Sequence, residues 1–218
     1  MSLYYSHLLI ARDKDFSASP VQVAAFGNAL DSLGVVPPPF TITLSTESNR
    51  FRTVQNPFTG EDFVFQERDR HPLSGLEALP AAIATLADYW LYIAGTGQPR
   101  TPPLPIVFDG PYHVCITIQR HADLRCTSYC SGEPERVPCE FGKPYEAFQS
   151  VGYFTNPHDG STIAVPEASC ARFWIEIQLG KFLCPPIEND RLDFLNGEVV
   201  SAASECFGIT FAQGCIWG

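Results

Sequence analysis

Ala171-Arg172-Phe173-Trp174-Ile175-Glu176-Ile177-Gln178-Leu179 is the stretch on which the fold turns. Phe173, Ile175, Ile177 and Leu179 alternate with Arg172, Trp174, Glu176 and Gln178. Successive side chains of a strand point to opposite faces, so this pattern predicts a strand with one apolar face and one polar, aromatic face. Tyr112 to Gln119 has the same form. There Val114, Ile116 and Ile118 take one side, and His113, Cys115, Thr117 and Gln119 take the other. If the two strands are neighbours, a Trp, a Glu, a Gln, a His and a Cys line one sheet surface. An aromatic platform with a few convergent polar groups is what a ligand cleft uses. The plain alternative is a solvated sheet face, or a covered one whose polar groups satisfy each other.

Around these two strands the second half of the chain is strand-rich. Asn156-Pro157-His158-Asp159-Gly160 has turn chemistry and joins predicted strands at 151–155 and 162–165. Beyond Pro185-Pro186, residues 187–204 accommodate one helix or a long loop, and 207–211 with 215–217 close the sheet.

The first half mixes helices and strands. Tyr4 to Ile10 predicts a strand. Ser19, Pro20 and Gln22 form a capping box with proline at the first helical position, and Val23, Phe26, Leu30 and Leu33 follow at helical spacing up to Gly34. Pro37-Pro38-Pro39 is a stiff connector into a predicted meander of three short strands at 40–45, 50–54 and 63–65. Ser74 and Glu77 offer a second capping box, and Leu76, Leu79, Ile83, Leu86 and Trp90 trace one helical face, with Pro80 kinking the helix or marking its true start. Ala94-Gly95-Thr96-Gly97 reads as a turn, and a short strand is expected at 106–108.

The predicted class is therefore α+β: a mostly antiparallel sheet, two amphipathic helices in the first half, and an order of elements that suggests a split β-α-β core. One domain over 1–218 is expected. The Gly- and Pro-rich stretch 95–110 is the place where a division into two lobes would fall.

Composition bounds the function. There are 24 acidic against 14 basic side chains, a formal net charge of −10, and only three lysines, Lys14, Lys143 and Lys181. A field of that sign repels a phosphate backbone and argues against nucleic-acid binding, while it attracts a basic protein or a cationic ligand. The start of the chain lacks the basic, apolar form of a secretion signal, and no run reaches the roughly 18 apolar residues of a spanning helix. The expectation is a soluble cytoplasmic protein, monomer or homodimer, not associated with membranes.

All eight cysteines lie at or beyond Cys115. Reduced core cysteines, disulfides and a metal site each fit that distribution, the first being preferred because a chain this long needs no staple. The metal reading rests on His121, Cys126, Cys130 and Cys139, an imidazole and three thiols within 19 residues. Zinc is the one cofactor the sequence admits, and none is required.

The candidates for catalysis are His113, Cys115 and Glu176: a thiol near an imidazole for nucleophilic attack, and a carboxylate as acid or base. Residues two apart on a strand share a face, yet their side chains diverge from the contact such a pair needs. Trp174 and Gln178 are candidates for ligand binding on the same face. Arg50 and Arg52 are candidates for an anion site, since with Arg68 and Arg70 they alternate along two predicted strands flanked by Glu67 and Asp69. No phosphate loop, dinucleotide fingerprint, nucleophile elbow or zinc-protease helix motif is present. The first functional reading is a non-catalytic binding or protein-interaction protein. The others are a small hydrolase or transferase with its site near His113 and Glu176, and a structural subunit.

Overall fold

Ser19 and Gln22 open the first helix as their spacing predicts. In the computed structural model, which describes residues 5–13, 15–55, 60, 62–103, 112–126, 152–155, 162–165, 170–180 and 195–217, α1 spans Pro20–Leu33. The Ser19 hydroxyl accepts from the Gln22 backbone N–H, and the Gln22 side-chain oxygen Oε1 accepts from the Ser19 N–H. Gly34 ends the helix at φ 69°, a left-handed conformation that costs glycine little.

Nine strands are described. They are β1 (Tyr5–Ala11), β2 (Phe40–Gln55), β3 (Asp62–Leu73), β4 (Tyr89–Gly97), β5 (Tyr112–Cys126), β6 (Gly152–Thr155), β7 (Thr162–Val165), β8 (Cys170–Gly180) and β9 (Phe211–Trp217). Two further helices, α2 (Leu79–Ile83) and α3 (Gly197–Phe207), and a 3-10 helix at Leu76–Ala78 complete the described elements. Seven strands form one sheet in the order β3-β2-β4-β5-β8-β1-β9, and β6 pairs with β7 as a separate hairpin. Every neighbouring pair in the large sheet is antiparallel.

The fold is therefore the mixed α+β arrangement that the sequence predicts, and it holds two split β-α-β units. β3 and β4 run parallel on either side of β2 and are joined through α2. β8 and β9 run parallel on either side of β1, with α3 in the connection. The sheet draws strands from both sides of the Pro-rich stretch, and residues 98–103 are tied to two helix ends. Arg100 donates to the carbonyls of Asp31 and Ser32 at the end of α1, and Thr101 to that of Leu33. Asn196, which caps α3, donates to the carbonyls of Pro102 and Pro103.

Three sequence expectations are corrected. The strands expected at 40–45 and 50–54 are one long β2, bulged between Glu47 and Phe51 where it pairs with β3. The second helix stops at Ile83, so Trp90 lies on β4 and not on a helical face, and the Ser74 hydroxyl makes no cap. Pro80 marks the start of α2. Residues 94–97, read as a turn, are the end of β4. A Cβ at Gly95 would run into the Pro37 carbonyl oxygen, so glycine is what lets the connector pass against this strand. The strand expected at 106–108 lies outside the described residues.

The helices pack on one face of the sheet. Leu9, Ile42, Leu91, Ile116, Ile118, Ile175 and Ile177 meet Val23, Phe26, Leu30, Leu79, Ile83, Val199 and Phe207 in one buried cluster. Tyr89 belongs to this cluster at 0% exposure, and among the described residues its hydroxyl has no hydrogen-bond partner. Burial pushes its ionisation up, so the hydroxyl is neutral across the physiological range. Tyr89→Phe removes a desolvated group that is not repaid, and is expected to leave stability unchanged or raise it by about 1 kcal/mol. Urea denaturation measures this, and a clear loss would mean that the hydroxyl has a partner after all.

Candidate functional site: the sheet face opposite the described helices

The face away from the helices carries what the two alternating strands predict. β5 and β8 are neighbours, and their register sets Cys115 opposite Gln178, Thr117 opposite Glu176 and Gln119 opposite Trp174. On the far side of β5, β4 sets Trp90 opposite Gln119 and Tyr92 opposite Thr117. Directly opposed residues of antiparallel strands point to the same side. One row therefore reads Trp174, Gln119, Trp90, and the next reads Glu176, Thr117, Tyr92.

This face is buried and polar at once. Thr117, Gln119, His121 and Glu176 are all less than 10% exposed, as are Trp90 and Trp174. His121 stands between the two tryptophans, its ring centroid 5.2 Å from that of Trp90 and 4.6 Å from that of Trp174. Its Nδ1 lies 3.4 Å from Asp88 Oδ1. The stack continues on the outer side, where the Arg68 guanidinium lies 3.8 Å from the Trp90 ring centroid and donates to the Tyr92 hydroxyl at 3.2 Å. Four strands are thus joined through one aromatic row. Leu8, Ile10 and Ala171 pack with Trp174 at its inner end.

The polar centre is Glu176. Gln119 Nε2 donates to one carboxylate oxygen at 3.2 Å, and Gln178 Nε2 to the other at 2.8 Å. A carboxylate only accepts, so both amides turn their NH2 groups towards it, each giving one of its two N–H donors and keeping the other together with its carbonyl oxygen.

The remaining candidates are placed as follows. His113 is exposed at the start of β5, opposite Gly180, and its Nδ1 is 3.1 Å from the Thr96 hydroxyl. Cys115 is a free thiol. Burial pushes its ionisation up, the Thr117 hydrogen bond pulls it down, and Glu176 pushes it up again. The result is a thiol rather than a thiolate, which is the weak form of a nucleophile.

The guanidinium patch expected from Arg50, Arg52, Arg68 and Arg70 is divided. Arg50 bonds Asp69 at 2.7 Å and lies 3.5 Å from Glu67, whereas Arg68 serves Trp90 on the other side of the ribbon. Adjacent residues of a strand face opposite ways, so Arg50, drawn to Asp69, cannot join Arg68. Arg52 lies further out, opposite Phe65, and is exposed.

The expectation of zinc is corrected. Among the described residues no group of three or more His, Cys, Asp and Glu side chains is placed to hold a metal ion. His121 is packed as a ring between two indoles instead. Cys130 and Cys139 lie outside the described residues, and of Cys126 only its backbone position, opposite Cys170, is described.

Trp90, Tyr92 and Asp88 were not placed on this face by the sequence. Trp90 was hidden by a helical spacing that it satisfied by coincidence, although the aromatic run Tyr89-Trp90-Leu91-Tyr92-Ile93 carries a strand signal. Asp88 carries no local signal. No helix among the described residues is long and apolar enough to cross a membrane. No family model matches the chain, and no curated protein or solved structure matches it either.

Proposed function

We propose that this chain is a non-catalytic binding protein that takes its ligand on the face of β4, β5 and β8 opposite α1, α2 and α3. The observation that carries this reading is the convergence of Gln119 and Gln178 on Glu176 beside the stack of Trp90, His121 and Trp174. Polar groups held in place on a buried aromatic surface orient a ligand at low entropic cost. Binding is favoured over catalysis by what the same groups do. Cys115 is held as a thiol, the described ring contact of His113 is to Thr96, and both oxygens of Glu176 accept from amides. A covalent route needs a nucleophile with a base in hydrogen-bond reach, and the described contacts of these three residues do not supply one.

The test is a thermal-shift screen of the purified chain against separate sets of organic cations, organic anions and neutral sugars, repeated on Trp174→Ala. A ligand present at 100 times its Kd adds about 2.7 kcal/mol to the folded state, which is a rise of ~5 °C or more for a chain of this size. We expect one set to raise the midpoint of the wild type and to do so much less in the variant. If no set moves the wild type, or if the variant responds equally, the face is a structural layer and the reading fails.

A further inference from the structure

We propose that the group bound at Glu176 is a cation carrying several N–H donors, an alkylammonium or a guanidinium. This rests on the binding reading above and states the chemistry of its ligand.

Glu176 is only 7% exposed, and both its partners are neutral amides. Taking a carboxylate out of water costs several kcal/mol, and a buried one is normally matched by a cation. Among the described residues no basic side chain makes that match. Arg50 is held by Asp69 and Glu67, Arg68 by Trp90 and Tyr92, Arg100 by the end of α1, and Arg172 lies 3.7 Å from Asp15. His121 of β5 is stacked between the tryptophans with Asp88 at its Nδ1. Among the described residues, then, a carboxylate comes to this face without its counter-charge.

The neighbouring groups narrow the chemistry further. Each amide spends one of its two N–H donors on Glu176, so Gln119 and Gln178 each keep a carbonyl oxygen and one further N–H, and the carboxylate keeps lone pairs beyond those the amides use. The assembled set is one anion, two amide oxygens and two amide N–H donors, and the charge is the part of it that these neutral groups leave unmatched. Among small groups, an ammonium with three N–H donors or a guanidinium with five meets such a set, and it brings the charge as well. An anion would be repelled. A neutral hydroxyl would satisfy one acceptor and leave the charge unpaired. Trp174 comes two residues before Glu176 on β8 and so shares its face, where an indole adds attraction for a cation and a surface for its apolar stem. The net charge of −10 draws the same class of ligand to the protein from a distance.

The experiment is isothermal titration of the full chain with n-butylammonium and methylguanidinium chloride, and with n-butanol and sodium butyrate as isosteric controls. A peptide with blocked ends containing one arginine and one lysine is run beside them. We expect at least one of the two cations to bind and both controls to fail, with affinity falling at least tenfold in Glu176→Gln and less in Gln178→Ala. Tighter binding of the peptide than of the free cations would place the source in a basic protein, and the reverse order in a small molecule. Either order supports the cationic chemistry. If butanol or butyrate binds as well as butylammonium, or if Glu176→Gln binds the cation unchanged while Trp174→Ala does not, the cation is overturned and the binding face stands. If neither cation binds, the proposal is overturned, and a hit among the anions or sugars of the thermal screen would then still uphold the binding reading. The comparison of butylammonium with butanol needs no variant, so a variant that fails to fold does not protect the proposal.

Discussion

Phe207→Ala is expected to destabilise the chain by about 3–5 kcal/mol, the range in which large aromatic side chains are lost from cores. Phe207 is the last residue of α3 and is 1% exposed. Its ring lies 4.9 Å from that of Phe173, 5.3 Å from Phe26, 6.0 Å from Phe211 and 6.3 Å from Phe16. Those four rings come from β8, α1, β9 and the segment before α1, so one side chain fastens two helices to the sheet. Truncation removes its burial and leaves a void that the flanking rings cannot fill, because each is held by its own backbone element. The backbone around it has its own ties: Gln22 Nε2 donates to the Phe207 carbonyl, and Gly208 closes the helix at φ 68°. The variant should therefore keep its fold and lose its margin. Urea denaturation reads this as a lower midpoint with an unchanged slope. A loss below about 1.5 kcal/mol would mean that the cluster is loosely packed and that Phe207 is not its centre.

The second large effect is a loss of stability in mild acid caused by His7. This side chain is on β1, opposite Ile177 of β8 and Cys215 of β9, and is 1% exposed. Burial lowers its pKa from 6.5 to about 4. The sign follows from which state takes the proton first. Below pH 6.5 the unfolded chain binds a proton at His7, while the folded chain stays neutral there until about pH 4. Stability from this residue is therefore complete above pH 6.5, declines through the window from 6.5 to about 4, and levels off below it. The shift corresponds to a loss on the order of 3 kcal/mol across that window. Unfolding free energies of wild type and His7→Leu, measured at intervals from pH 7.5 to pH 4, isolate the effect, because the carboxylates titrate alike in both. The difference between them should shift by that amount in favour of the variant as the pH falls. Parallel curves would show that His7 is protonated within the fold or is reached by water.

Both effects arise in parts of the fold that were legible in different degrees. The ends of α1 are visible in Ser19, Gln22 and Gly34, since capping is chemistry between residues close in sequence. The two faces of β5 and β8 are visible in their alternation, and the candidate site inherits Trp174, Glu176, Gln178 and Cys115 from that pattern. Trp90 is the instructive failure. From Leu76 to Trp90 the apolar residues match a helical period, but Tyr89 to Ile93 is also an aromatic and β-branched run, and pairing with β2 and β5 on both sides decides for the strand. His121 fails in another way: its neighbours in sequence suggested a ligand set, and its neighbours in space are two indoles.

By itself the sequence determined what depends on short range: the helix ends, the two-sided character of the strands, the α+β class and the sign of the protein's field. Only the tertiary structure decided which strands are neighbours, and with that everything that needs two of them. It set β5 between β4 and β8, so that Gln119 reaches Glu176 and His121 enters between Trp90 and Trp174. It also drew Arg50 to Asp69, dividing a patch that alternation alone would have left together. The physical reason is that periodicity states which way a side chain points but not what it meets. The partner across a sheet is selected by burial summed over the whole core, and residues 57 positions apart, as Gln119 and Glu176 are, have no local pattern that records it.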